Sequence, residues 1–194
     1  MDNIIARGAE AIIIKKDDSI IKNRIKKNYR IAELDSELRE KRTRSEAKIL
    51  TKLKDFTPKV IFVGKETIEM EFIEGDVVKT VLDDDVLIAK KIGDITAKMH
   101  DLNIVHGDLT TSNMILDSQK NVKLIDFGLS FVSVKVEDKA VDLHLFKEAI
   151  ESKHFAHEKE IWSEFLKEYN PKDKDQIIKR LELVEKRGRN KQKY

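Results

Sequence analysis

HGDLTTSN, residues 106–113, places a carboxylate two residues after a histidine and a carboxamide five residues further on, with small and polar residues between. Eighteen residues after Asp108 comes a second carboxylate, Asp126 of IDFG, at the end of the apolar run Val122–Ile125. Met114–Leu116 and Val122–Ile125 have the composition of short strands, and Asp117–Asn121 that of the turn between them. Such a hairpin returns Asp108, Asn113 and Asp126 to one mouth. Oxygen donors gathered in this way suit Mg²⁺, which takes few protein ligands and keeps its remaining positions for water and substrate phosphates. Transfer of a γ-phosphoryl group needs the same parts: ligands for a charge-neutralising metal, and a carboxylate that orients the attacking oxygen. Turn-capping explains any one of these residues alone, but not the joint pattern.

Upstream the chain is rich in β signals. Ala11–Ile14 and Ser19–Ile21 read as a hairpin about the polar turn Lys15–Asp18. Val60–Val63 and Thr67–Phe72 form a second strand pair around Gly64. Between the pairs, Leu34–Leu53 has helical spacing, with Leu34, Leu38, Ala47 and Leu50 apolar and alternating charges elsewhere. After Gly75 the pattern turns helical. Val86–Asp101 carries Ile88, Ile92, Ile95 and Met99. Val141–Ile150, Glu158–Tyr169 and Gln176–Arg187 follow, and the chain ends in the basic RGRNKQKY. The expectation is an α+β chain of two lobes around a cleft. A small β-rich lobe with one long charged helix covers residues 1–73; a reduced helical lobe with the catalytic loop covers 74–194; Ile73–Asp76 links them.

The 194 residues are 40% apolar and 38% charged, enough for a core under a densely ionic surface. Lys and Arg number 38 against 36 Asp and Glu, so global charge selects no partner and local runs must be read instead. With no cysteine there is neither a disulfide framework nor a thiolate zinc site, which fits a cytoplasmic setting. No apolar run approaches the roughly 18 residues of a membrane span, and Met1–Arg7 lacks the apolar core of a signal peptide.

The two motifs resemble those of the protein-kinase superfamily, whose loop reads H-R-D-x-x-x-x-N and is followed by D-F-G. The resemblance implies a minimal protein-kinase-like fold that uses ATP and Mg²⁺. Carried over by position, Asp108 is the catalytic base or nucleophile-orienting residue, and Asn113 and Asp126 are the metal ligands. Lys22, closing the strand SIIK, matches the lysine that clamps the α and β phosphates. Glu46 of TRSEAKIL is its carboxylate partner, with Glu37 and Glu40 as competitors on the same helix. EMEFIEG reads as the last strand and hinge. There Met70 borders the adenine pocket, and the Glu71 carbonyl and Ile73 amide face the base. Ile115 supplies an apolar floor, although plain core packing accounts for these apolar residues equally well. By the same resemblance Asp142 of KAVDLHLF accepts backbone N–H groups of His106 and Gly107; a carboxylate on an apolar helix face is unfavourable unless its acceptors are filled. His106 is expected to be packed and hydrogen-bonded rather than an acid or base. His100, His144, His154 and His157 show no ligand spacing.

The pattern also departs from ordinary protein kinases. Gly107 stands where many have the arginine that pairs with a phosphorylated loop, so switching by that ion pair is absent. Thr110 replaces a lysine that helps hold the transferring phosphate, and no A-P-E motif follows D-F-G before Asp142. Instead of a G-x-G-x-x-G loop there is RGAEA, with Gly8 its only glycine; amides of Gly8, Ala9 and Glu10 are left to cover phosphates. Only Met1–Ala6 precede it, which suggests a short first strand and a chain that forms one half of a fused polypeptide.

RGAEA, IIKNRIKKNYR, LDSELREKRTRSEAKIL, HGDLTTSN, LIDFGLS and the terminal RGR together resemble the small atypical kinase/ATPase of the KEOPS complex, related to the RIO kinases. That resemblance implies ATP hydrolysis, weak serine/threonine phosphorylation and a part in making threonylcarbamoyladenosine on tRNA. It implies as partners the metalloprotein transferase subunit and a small regulatory subunit of that complex. Five basic residues and no acid between Lys22 and Arg30, the cluster Arg39, Lys41, Arg42 and Arg44, and the tail with Arg187, Arg189, Lys191 and Lys193 offer phosphate-backbone contacts for tRNA. The same tail folded back could supply the cation missing at Thr110. Two other readings fit parts of the pattern: a small-molecule phosphotransferase of the aminoglycoside or choline kinase type, and a nucleotide-binding scaffold without catalysis. The first has no room here for its substrate-binding insertion, and the complete set Lys22, Glu46, Asp108, Asn113 and Asp126 argues against the second.

Overall fold

The structure is a computed structural model that describes residues 3–191, with 188–191 as backbone only. The chain divides into two compact units, Met1–Glu74 and Gly75–Tyr194.

In the first unit, β1 (Asn3–Arg7), β2 (Ala11–Lys16), β3 (Ser19–Arg24), β4 (Val60–Val63) and β5 (Thr67–Glu71) form one antiparallel sheet in the order β1-β2-β3-β5-β4. β2 and β3 turn tightly, Lys16 opposite Ser19, with Asp17 in the left-handed region that Asp tolerates. β3 runs past its expected end to Arg24, because Lys22 and Arg24 both find a buried carboxylate. That carboxylate lies on α1 (Ala32–Lys52), which packs on β4 and β5. The C-terminal half of α1 buries Ala47, Ile49 and Leu50, with Leu53 just beyond, in a core with Ile68 and Met70. Its N-terminal half differs from expectation: Leu34 is 49% exposed and the buried residue is Asp35. The helix is seated there by ions. Asp35 accepts from Arg39 at 2.7 Å, lies 3.5 Å from Arg30, and takes the Lys27 N–H at 3.3 Å.

The second unit opens with β6 (Gly75–Val77), α2 (Val78–Val81) and α3 (Ile88–Asp101). β7 (Ile104–Val105), β8 (Met114–Asp117), β9 (Val122–Leu124) and β10 (Phe131–Val132) follow, then α4 (Val136–Lys153), α5 (Glu158–Glu168) and α6 (Lys174–Lys191). β6-β8-β9 form a three-stranded antiparallel sheet, and β7 pairs with β10. The β8–β9 turn is fixed by Asp117 Oδ1, which accepts the amides of Gln119 and Asn121 at 3.0 and 2.7 Å. α3 lies so close to α5 that a Cβ at Gly93 would collide with the Phe165 carbonyl. Buried Phe146, Phe165 and Tyr169 form an aromatic stack with Trp162 against it. α4 starts five residues before the expected Val141: the acids Glu137 and Asp138 occupy its first turn, where they face the positive end of the helix dipole and stabilise it.

Candidate active site

Asp108, Asn113 and Asp126 all belong to the second unit, and the chain around them is bonded into one piece. Asp108 follows β7, and Asn113 ends a short 3₁₀ turn, Thr111–Asn113. The Asn113 amide donates from Nδ2 to the Asp108 carbonyl at 2.9 Å and to Asp108 Oδ2 at 2.8 Å. Its Oδ1 has no protein partner among the described residues. The Asn113 carbonyl takes the Ile125 N–H at 2.9 Å, which seats Asp126 beside it. Asp126 has φ 61° and accepts the Gly128 N–H at 3.2 Å. An amide oxygen and a carboxylate set together are the hard donors that Mg²⁺ prefers.

The loop is held from below by Asp142 of α4, fully buried. Oδ2 accepts the His106 N–H at 2.6 Å and Oδ1 the Gly107 N–H at 2.8 Å, as expected from the sequence. Oδ2 also lies 3.3 Å from His100 Nε2, whose Nδ1 is 2.8 Å from the Tyr169 hydroxyl. Burial pushes the Tyr169 phenol well above its ordinary value, so it remains protonated and donates to His100, whose Nε2–H then donates to Asp142. His106 is packed against Phe127, as expected of a structural residue. It receives the Asp108 N–H on Nδ1 at 3.3 Å and reaches the Ile125 carbonyl from Nε2 at 3.1 Å. Burial holds its pKa below the ordinary 6.5, and the neutral Nε2–H tautomer satisfies both bonds. Gly107 has φ +80°, and a Cβ there would come within 2.5 Å of the Leu129 carbonyl. Arginine is absent from this position because the backbone admits no side chain.

A further anchor was not legible in the sequence. Buried His154, which caps α4, lies 3.2 Å from Thr111 Oγ1 through Nε2 and 3.0 Å from Asp83 Oδ1 through Nδ1. Thr111 is itself buried, so the 3₁₀ turn is tied to the end of α4. Asp83 and His154 stand 71 residues apart, and no local spacing relates them.

In the first unit Lys22 and Glu46 meet, Nζ to Oε1 at 2.7 Å, both buried. The competing Glu37 is exposed and Glu40 pairs with Arg44. Glu46 also binds Arg24, from Nη2 to Oε2 at 2.5 Å, a partner that sequence reasoning missed. The signal was present: K-x-R on a strand puts both cations on one face. Met70 is buried in β5 opposite Ile20 and Val60. The Glu71 amide donates to the Lys59 carbonyl, and Ile73 follows the end of β5. In the second unit, Ile115 lies half-buried on β8 opposite Lys123.

One expectation needs correction. The Gly8 N–H is spent on the Ala11 carbonyl at 2.9 Å, closing the β1–β2 hairpin, so the loop amides left for phosphate are those of Ala9 and Glu10. Lys27 Nζ binds the Ala9 carbonyl, and Glu10 pairs with Arg42 at 3.0 Å and Lys27 at 3.7 Å. The basic patches, moreover, are largely not free. Lys22 and Arg24 serve Glu46; Lys27 and Arg42 serve Glu10; Arg30 and Arg39 serve Asp35; Arg44 serves Glu40. Of the tail, Arg187 pairs with Glu137 at 3.0 Å, whereas the side chains of Arg189 and Lys191 and all of Lys193 lie outside the described residues.

Known proteins resemble the chain in sequence and in fold. A family model described as the RIO domain matches residues 14–162. A probable bifunctional tRNA threonylcarbamoyladenosine biosynthesis protein of Methanobrevibacter smithii is 44% identical over 97% of this chain, which spans 37% of that protein's length. The EKC/KEOPS complex subunit BUD32 of Encephalitozoon cuniculi is 38% identical, over 96% of this chain and 95% of its own. A probable serine/threonine-protein kinase BUD32 homolog of Archaeoglobus fulgidus is 38% identical, over 94% and 93%. Among solved structures, a Rio2 kinase complex with ADP/Mg²⁺ and phosphoaspartate from Chaetomium thermophilum superposes with a TM-score of 0.59 at 16% identity, covering 79% of this chain and 56% of that one. The α+β fold is therefore that of the Rio2 kinase, and the chain belongs to the RIO-domain family, within it to the group of the BUD32 proteins.

Proposed function

We propose that the chain is a Mg²⁺-dependent ATPase and atypical serine/threonine kinase that, within a KEOPS-type assembly, supports threonylcarbamoyladenosine modification of tRNA. The observation that carries this reading is the catalytic loop. Asp108 and Asn113 are bonded side chain to side chain, and Ile125 ties Asp126 to Asn113. In this reading Asp108 orients the attacking water or hydroxyl, and Asn113 and Asp126 hold Mg²⁺. The metal, when bound, neutralises phosphate charge. Lys22 takes the α and β phosphates from its place beside Glu46, and the Ala9 and Glu10 amides cover them. Met70, the Glu71 carbonyl, the Ile73 amide and Ile115 receive the adenine. The names of the relatives support such an assembly; the partners this reading implies are a metalloprotein transferase subunit and a small regulatory subunit. No helix among the described residues is long and apolar enough to cross a membrane, and we assign the protein to the cytoplasm.

The test is ATP hydrolysis, measured with and without Mg²⁺ and with candidate partners. Asp108→Ala lowers the rate by a factor on the order of 10² to 10⁴, and Asp126→Ala abolishes the metal-dependent part. Parental turnover in both variants refutes the site.

A further inference from the structure

The two cations that meet Glu46 stand two residues apart on β3 and so lie on one face of the sheet. Their side chains are 9% and 4% exposed, and that of Glu46 is 2% exposed. Each carboxylate oxygen has its own cation: Oε1 faces Lys22 at 2.7 Å and Oε2 faces Arg24 at 2.5 Å. This division resolves a conflict. A lysine that serves ATP has two anions to satisfy, the carboxylate and the phosphates. With Lys22 as sole partner, a turn toward phosphate would strand a buried carboxylate, which is strongly unfavourable. Arg24 keeps its hold whichever way Lys22 turns.

The backbone of Arg24 adds a second tie. Its N–H donates to the Glu66 carbonyl at 3.0 Å, and the Glu66 carboxylate pairs with Arg39 of α1. Arg39 and Glu46 are seven residues apart, two turns of one helix, and therefore share a face. The helix is thus pinned toward β3 and β5 at two points that do not involve the lysine.

We infer that Arg24 is a positioning residue: it holds Glu46, and with it α1, so that Lys22 can engage the nucleotide phosphates without loosening the helix. The inference rests on the reading that Lys22 takes ATP phosphate. It makes the lysine–glutamate arrangement constitutive, with no helix displacement to serve as a switch.

Four variants test it: Lys22→Met, Arg24→Met, Arg24→Lys and the double Lys22→Met/Arg24→Met. Thermal melting is read without nucleotide; Mg-ATP affinity, KM and kcat are read separately. The double variant melts lower than the two single shifts summed, because only there does Glu46 lose both cations. Arg24→Met raises KM for ATP by about tenfold, the worth of one charge-assisted hydrogen bond, since Lys22 is then detained by Glu46. Arg24→Lys restores most of that loss. A purely structural arginine lowers the melting temperature and leaves KM alone, and that result overturns the inference, as do additive melting shifts. If Arg24→Met does not fold, Arg24→Gln, which keeps a donor without the charge, takes its place. If the parent binds no Mg-ATP, the nucleotide reading itself has failed, while the melting comparison still decides whether Arg24 holds Glu46.

Discussion

Gly107 shows how one residue carries a constraint that its neighbours impose. Its φ of +80° and the Leu129 carbonyl 2.5 Å from a would-be Cβ leave glycine alone without strain. Gly107→Ala should cost roughly 1–3 kcal/mol, read as a lower denaturant midpoint. It should also lower ATP turnover, because the same residue's N–H anchors the loop to Asp142. The sequence displayed this position only as a missing arginine; the reason lies in a carbonyl 22 residues further on, which no local pattern reveals. His106 is the converse, a role legible beforehand, since the histidine that opens the H-x-D loop is expected to be packed and hydrogen-bonded rather than an acid or base. Its pKa is lowered by burial, so folding favours the neutral ring. Its contribution to stability is then complete above the ordinary pKa of 6.5 and is lost as pH falls below that value toward the folded one. An NMR titration of the ring should give an apparent pKa below 6.5; a value above it contradicts the neutral ring assigned here.

At the scale of elements, α4 does more than cover the core. It sends Asp142 to the start of the catalytic loop and His154 to the 3₁₀ turn at its end, so one rigid helix spans the segment that carries Asp108. Asp142→Asn replaces one acceptor oxygen with a donor and leaves a buried N–H of His106 or Gly107 unpaired. The loss should be about 1–3 kcal/mol, with kcat for ATP falling while the loop is loosened. Thr111→Val removes only the hydroxyl, keeps the volume, and should lower kcat several-fold with KM nearly unchanged; Thr111→Ser should recover it. Equal kcat for the valine and serine variants separates His154 from the chemistry. The elements themselves were largely readable, because β2, β3, β4 and α1 have unbroken β-branched runs or helical spacing. What escaped was electrostatic. The seat of α1 on Asp35 and the extra turn of α4 depend on charges close in sequence, and the second cation on Glu46 on a partner 22 residues away. Hydrophobic periodicity is blind to such pairs.

For the molecule as a whole, near-balance of charge turns out to be local as well as global. Among the basic residues from Lys22 to Arg44, only Lys26 and Lys41 have no ion pair among the described residues. This bears on the proposed contact with tRNA. Each phosphate neutralised by a free cation adds roughly −0.9 to the slope of log K against log salt for a duplex. Were the whole basic run free, the slope would approach about −8; with two cations to offer, the run contributes about −2. Filter binding of tRNA across a salt series, using a chain shortened by residues 188–194 to remove the tail's charges, should therefore give a shallow line. Lys26→Ala and Lys41→Ala should each flatten it by about one further unit. Arg42→Ala should leave the slope unchanged, since Arg42 is spent on Glu10. A steep line that Arg42→Ala flattens means that tRNA outcompetes Glu10 for this arginine, and the ion pairs around the Ala9–Glu10 turn then open when the nucleic acid arrives.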